Sequence, residues 1–237
     1  MTKLHDKLSV LKDERAIRVL AELHQEQANQ AWGIGLDLLP QMHRWLCGRP
    51  LDWSRLEAKL GHRPLAVDVD SGVYLYLLAR SMRARQLVEF GASVGVSAIY
   101  LALAARENGG RLITTELSSD KVTLARRNLE RAGLTDYAEI REGDATSTLR
   151  ELEGPIDFLH NDGFPRFVLP VLRLLAPRMH KGAIALCGNA ALFPADHAEY
   201  VAWVRAPENG FTSTALPMKL GGEFSVRSGG SAVEAAA

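Results

Sequence analysis

The run Glu89-Phe90-Gly91-Ala92-Ser93-Val94-Gly95 sets an acid and two glycines where an apolar strand gives way to a helix. Glycines serve at such a turn when the backbone needs positive φ or must approach a ligand closely. In a doubly wound sheet this first turn lies at the carboxyl edge, where ligands bind. The spacing is G-x-x-x-G, not the dinucleotide G-x-G-x-x-G, and taken alone it leaves a plain tight turn as the alternative. Glu116 ends the next apolar run, about 20–25 residues on, where an acid accepts both ribose hydroxyls of a nucleoside and disfavours a 2′-phosphate. Glu142-Gly143-Asp144-Ala145 closes a third strand, where a carboxylate or its neighbouring amides can meet an adenine edge. A single Gly-Asp is usually only a turn; three such elements in this order point to a nucleoside-sized ligand. His160-Asn161-Asp162 ends a fourth strand, and alternation puts His160 and Asp162 on one face with Asn161 turned away. The acid can then orient an imidazole whose ordinary pKa suits a general base. A buried histidine satisfied by a backbone group is the competing reading.

The elements that must position these groups alternate. Strands are predicted at 87–90, 111–115, 138–141, 156–160 and 183–187, with helices at 97–106, 119–132, about 145–152 and 167–177. Such alternation signals a parallel sheet with helices on both faces. Residues 211–216 and 223–227 have no helix between them and read as an antiparallel hairpin at the sheet edge. Residues 1–64 are helical, a lid or subunit interface, with 65–228 as the ligand-binding domain and 229–237 as a disordered tail. Trp32, Trp45 and Trp53 in the helical segment either line an aromatic pocket or pack as core. His24, His43 and His62 read as surface or turn residues, and Lys121, Arg126, Arg127 and Arg131 as a solvated helix face.

The bulk composition excludes several classes. The chain has 237 residues, with 28 Lys plus Arg against 28 Asp plus Glu, so no global field holds a polyanion such as nucleic acid. Cys47 and Cys187 lie in no metal or disulfide spacing. No apolar run reaches the roughly 18–20 residues that cross a bilayer, and the charged first residues lack a signal-peptide core. The expected location is cytoplasmic.

The segments LVEFGASVGVSAIYLA, TTELSSDKVTLARRNLERAGL and EIREGDA resemble the class I S-adenosylmethionine-dependent methyltransferases, more narrowly the catechol and caffeoyl-coenzyme A type of small-molecule O-methyltransferase. VDVDSGVYLYLLAR and GAIALCGNA extend the resemblance over about 65–228. It implies a Rossmann-like, doubly wound α/β fold with a seven-stranded sheet, the last strand antiparallel, and an N-terminal helical extension. It also implies S-adenosylmethionine as cofactor, a small-molecule acceptor and a homodimer. By the same comparison Glu89, Gly91 and Gly95 shape the methionine end of the pocket, and Ser93 and Ser97 meet its carboxylate. Glu116 holds the ribose, Asp144 and Ala145 the adenine, and Val67, Ser71 and Asp162 lie close to the cofactor.

The chain departs from that family where the family binds a divalent metal, through one Asp after the fourth strand and an Asp-Asn pair after the fifth. Asp162 matches the first, but the pair becomes Gly188-Asn189, leaving a degenerate site at Asp162 and Asn189. The family's lysine falls at Pro165, beside Arg166, and guanidinium is no base at accessible pH. One carboxylate and one amide make a poor magnesium site, so metal involvement is doubtful. His160 and Asp162 are the catalytic candidates, Phe193-Pro194 and Glu223 fall where the family borders its acceptor site, and contact of Arg166, Asn189 or Glu223 with the acceptor is left open. Methylation of a small aromatic oxygen is the leading reading. Methylation of a heteroaromatic nitrogen, a nicotinamide oxidoreductase and a non-catalytic cofactor-binding scaffold are its rivals.

Overall fold

A computed structural model of the chain describes residues 2–217 and 221–229. Seven strands, β1 Gln86–Phe90, β2 Arg111–Glu116, β3 Ala138–Glu142, β4 Ile156–Asn161, β5 Met179–Gly188, β6 Phe211–Leu216 and β7 Gly222–Arg227, form one sheet ordered β3-β2-β1-β4-β5-β7-β6. Only β7 runs against its neighbours, pairing antiparallel with β5 and β6. The C-terminal hairpin therefore turns back into the sheet: β7 is inserted and β6 takes the edge. The burial patterns agree, since Glu223, Ser225 and Arg227 of β7 are buried while β6 is largely exposed. The tail beyond Gly229 lies outside the described residues.

Ten helices among the described residues connect and cover the strands. They are α1 Thr2–Leu8, α2 Glu14–Leu38, α3 Met42–Leu46, α4 Trp53–Leu60, α5 Val69–Ser81, α6 Val96–Asn108, α7 Ser119–Ala132, α8 Ala145–Thr148, α9 Pro165–Leu175 and α10 Ala198–Arg205. Strand alternation sorts the core into two layers. Leu87, Leu112, Phe158 and Ile184 face one side with α1, α2, α5, α6 and α7. Val88, Ile113, Leu159 and Ala185 face the other with α8, α9 and α10. No helix among the described residues is long and apolar enough to cross a membrane.

The order of strands reverses between β1 and β4, so the crevice at their carboxyl ends is the expected ligand position. Register there places Glu89 beside His160 and Phe90 beside Asn161. Topology thus joins two sites that lie far apart in sequence.

The N-terminal helices are woven into this core. Leu8, Leu11, Ile17, Leu20 and Leu23 share the apolar cluster of the sheet's first face. His24 corrects the surface reading: it is buried on the inner side of α2, with Nε2 2.9 Å from the Tyr100 hydroxyl. Burial holds its imidazole below the ordinary value, against the pull of Gln27 and Asp68. A histidine kept neutral in the folded state takes up a proton more readily once unfolded. Stability therefore declines as pH falls through the unfolded value near 6.5 toward the lower folded one. His24→Gln, which can still bond Tyr100, is expected to lessen the loss of the urea midpoint between pH 7.5 and 5.5. An undiminished loss would assign that pH response elsewhere.

Candidate active site

Gly91 and Gly95 have φ of 98° and 88°. A Cβ at Gly91 would fall 2.9 Å from the Asp162 carbonyl oxygen, and one at Gly95 3.2 Å from Ala125 of α7. The glycines thus let the turn adopt left-handed backbone and let β4 and α7 close in on it. Ser93 also has positive φ, 48°. Its amide donates to Glu116 Oε2 at 2.8 Å, while the Leu117 and Ser118 amides donate to Oε1 at 2.9 and 3.0 Å. Glu116 is therefore fixed at the lip of the turn by three backbone donors. An ionised carboxylate has about four acceptor positions, so one remains for a ligand, and more once a donor is exchanged. The Ser93 and Thr115 hydroxyls are buried with no partner among the described residues, an arrangement that suits a ligand bearing donors and acceptors.

Ser97 is buried on the first turn of α6, and Ala145 is buried at the start of α8. Asp144 is exposed and caps α8, accepting from the Thr146 amide at 2.7 Å; the Thr146 hydroxyl bond, first among the causes, lowers its pKa. The Gly143 amide donates to the Glu116 carbonyl at 2.9 Å, which laces the third strand's end to the second's. Lys121 corrects the solvated-face reading. It is buried, and burial pushes its ammonium down while Glu116 pulls it up.

A line of polar side chains crosses the carboxyl edge from β2 to the end of β5. The Thr114 hydroxyl donates to Glu89 Oε2 at 2.6 Å, and His160 Nδ1 lies 3.2 Å from Glu89 Oε1. His160 Nε2 is 3.9 Å from Asp162 Oδ2, and Asn189 Nδ2 donates to Asp162 Oδ1 at 2.9 Å. Glu89 and His160 are almost wholly buried. Burial alone lowers the His160 pKa, but the Glu89 bond and the Asp162 and Glu89 charges outweigh it and the value is raised. Burial raises the Asp162 carboxyl despite His160. Glu89, expected at the methionine end, has one oxygen engaged by Thr114 and the other by His160.

His160 and Asp162 line a slot of about 60 Å³ together with Val67, Ser71, Gly188 and Asn189. The family's metal does not fit this donor set. A Cβ at Gly188 would collide with Asp162 Oδ1, so Asp162 occupies the space of the missing carboxylate, and that oxygen is held by the Asn189 amide. Among the described residues no three His, Cys, Asp or Glu groups are placed to hold an ion.

Beside the slot, and not among the residues that line it, the Trp53 ring of α4 meets Phe164 at 5.9 Å and Phe193 edge-on at 5.3 Å. Phe164 follows Asp162 and Phe193 follows Asn189, so α4 roofs the β4–β5 edge. Trp45 joins the same roof by donating to the Leu192 carbonyl at 2.7 Å, whereas Trp32 is 82% exposed. Arg166 pairs with Glu57 of α4 at 2.5 Å. Glu223 is not at the slot: it is buried against Arg205 and Ser213, at 2.7 and 2.6 Å. Sequence reasoning offered Trp53 and Phe193 as separate candidates but could not join them, because Trp53 lies more than a hundred residues before Phe164 and Phe193.

Residues 88–190 match a family described as a methyltransferase domain. A catechol O-methyltransferase of Niastella koreensis is 37% identical over 109 residues, 44% of this chain and 49% of the relative. A catechol O-methyltransferase of Mycobacterium tuberculosis is 33% identical over 126 residues, 53% of this chain and 57% of the relative. The matched segment thus spans about half the length of these curated relatives. Among solved structures, the O-methyltransferase TomG from Streptomyces achromogenes, in complex with S-adenosylmethionine, superposes with a TM-score of 0.62 at 25% identity. That match covers 73% of this chain and 86% of TomG. Residues 88–190, the span similar to that methyltransferase-domain family, hold the glycine turn, Glu116 and the His160–Asp162 stretch, and over about half of its length the chain is similar to catechol O-methyltransferases.

Proposed function

We propose that the chain transfers the methyl group of S-adenosylmethionine to the hydroxyl of a small aromatic acceptor, and does so without a divalent metal. The observation that carries the reading is Glu116, held by three backbone amides at the lip of a glycine turn whose buried Ser93 hydroxyl has no partner among the described residues. Gly91, Ser93, Gly95 and Ser97 would hold the methionine end, Glu116 the ribose, and Asp144 with Ala145 the adenine edge. Val67, Ser71 and Asp162 would border the reacting end. When bound, the cofactor supplies a methyl carbon activated by its sulfonium, so the protein's work is chiefly alignment and exclusion of water.

His160 and Asp162 are the catalytic residues of this reading. With Nδ1 directed at Glu89, Nε2 faces Asp162 and the slot, positioned to accept the acceptor's hydroxyl proton. A base in that place favours an oxygen acceptor, since a neutral ring nitrogen has no proton to lose. Trp53, Phe164 and Phe193 suit a flat acceptor ring. The exposed apolar residues Trp32, Leu36, Leu39 and Leu46 on α2 and after it support a self-paired dimer.

Methyl transfer from labelled S-adenosylmethionine to a panel of phenols, with and without EDTA, tests the proposal. Turnover is expected to persist in EDTA and to gain nothing from magnesium. Loss of activity with the chelator would overturn the metal-free part. Tight binding of S-adenosylhomocysteine with no turnover on any acceptor would favour the non-catalytic scaffold.

A further inference from the structure

Besides the Arg166–Glu57 pair and the Trp45–Leu192 bond, one carboxylate ties the start of α4 to the loop that follows Asn189. Asp196 Oδ1 accepts from the Leu51 amide and from Trp53 Nε1, both at 2.8 Å. Helix α4 does not need these bonds to begin, because its own Asp52 caps it, accepting from the Ser54 hydroxyl and the Arg55 amide. Gln41 also braces this stretch from within the N-terminal segment, exchanging bonds with the Asp52 backbone. What the Asp196 bonds add is a tie from the first turn of α4 to the 189–197 loop.

The attachment point is tied to the slot. The Asn189 carbonyl accepts from the Leu192 and Phe193 amides, at 3.1 and 3.0 Å. The Phe193 carbonyl in turn accepts from the Asp196 and His197 amides and lies 2.9 Å from His197 Nδ1. A short relay of turns therefore runs from Asn189, bonded to Asp162, to Asp196, bonded to Trp53. At about 60 Å³ the slot is smaller than a cavity that holds benzene, roughly 150 Å³. A ring that docks there therefore extends past the slot, toward the loops that carry Phe164 and Phe193 and against which Asp196 holds Trp53.

We infer that Asp196 is a positioning residue for the acceptor: its carboxylate latches Trp53 and the start of α4 onto the loop of Asn189, setting the wall against which an aromatic ring docks. This rests on the reading of the slot as the acceptor end of a methyltransferase. The latch acts on the acceptor side and leaves the cofactor cradle, built from β1, β2 and α6, untouched.

The test compares wild type with Asp196→Ala, Asp196→Asn and Trp53→Phe in the full chain. Three quantities are read: backbone hydrogen exchange over 51–56, affinity for S-adenosylhomocysteine, and affinity of that complex for catechol, the probe acceptor, by quenching of tryptophan emission. Asp196→Ala is expected to speed exchange over 51–56 and weaken catechol about tenfold, with S-adenosylhomocysteine held within about twofold. Asp196→Asn keeps an oxygen that accepts both bonds and restores both readouts. Trp53→Phe keeps a ring, loses one bond and falls between; it also serves if the alanine variant does not fold. Unchanged exchange in Asp196→Ala, no rescue by asparagine, or a parallel loss of S-adenosylhomocysteine would overturn the latch. Absence of saturable catechol quenching in wild type would overturn the wall's role. Failure of wild type to bind S-adenosylhomocysteine would instead defeat the methyltransferase reading, while the exchange comparison still judges the latch.

Discussion

Glu116→Ala is expected to weaken S-adenosylhomocysteine by about a hundredfold or more, the largest effect of any single substitution in the cradle. A carboxylate that exchanges one of its backbone donors to grip two ribose hydroxyls makes two charge-assisted hydrogen bonds, each worth about 1.5–3 kcal/mol, and 1.4 kcal/mol is tenfold in affinity. The substitution also strips the Ser93, Leu117 and Ser118 amides of their acceptor, so the turn loses its shape along with its contact. Glu116→Gln separates the two effects. Its oxygen can retain some of the backbone bonds, and the loss should be smaller than with alanine yet clear. Calorimetry with S-adenosylhomocysteine gives the affinities, and thermal unfolding checks that each variant is folded. An alanine variant that bound within about threefold of wild type would move the ribose elsewhere, because so small a change leaves no room for two charged bonds.

His160→Asn should act on the other half of the reaction. Loss of a positioned proton acceptor costs about 10²–10⁴ in turnover, while a residue outside the cradle leaves S-adenosylhomocysteine affinity nearly unchanged. A purely structural histidine makes a different forecast. Removing the partner of a buried carboxylate costs about 3–5 kcal/mol, and Glu89 would be left bonded to Thr114 alone among its side-chain partners. A structural role therefore lowers the unfolding midpoint and the amount of folded enzyme, with turnover per folded molecule retained. Rate normalised to bound S-adenosylhomocysteine tells the two apart, and a full rate on that scale would retire His160 as the base.

Much of the frame was legible in the chain because it is local. Each parallel strand is a short apolar run closed by a turn residue, and the Gly91–Gly95 turn, Glu116 and Gly143-Asp144 recur at successive strand ends. The errors came where distant segments decide the environment. Ser118-Ser119-Asp120-Lys121 reads as a polar helix start, yet the bare Gly95 lets α7 close in at Ala125 and Lys121 is buried in the same turn of packing. His24 sits among polar neighbours in sequence, but α6 brings Tyr100 to it. Helix α10 has only Tyr200 and Val204 as buried residues and shows little periodicity. The helix expected at 145–152 spans only Ala145–Thr148, and β5 begins at Met179, earlier than its apolar run suggests. The couple of His160 and Asp162 was within reach of strand alternation; the hold of Glu89 on His160 needed the strand order, which no local pattern contains.

The sharing of one apolar cluster by Leu8, Leu11, Ile17 and Leu20 with the inner face of the sheet limits how such a protein can diversify. A cover that merely hung over the slot could be exchanged wholesale for another. Here the segment carrying Trp53 is preceded by helices that complete the hydrophobic interior, so, on the proposed docking of the acceptor, new preferences are expected as point changes along α4 and the 189–197 loop. On that proposal, acceptor choice and foldability are inherited together.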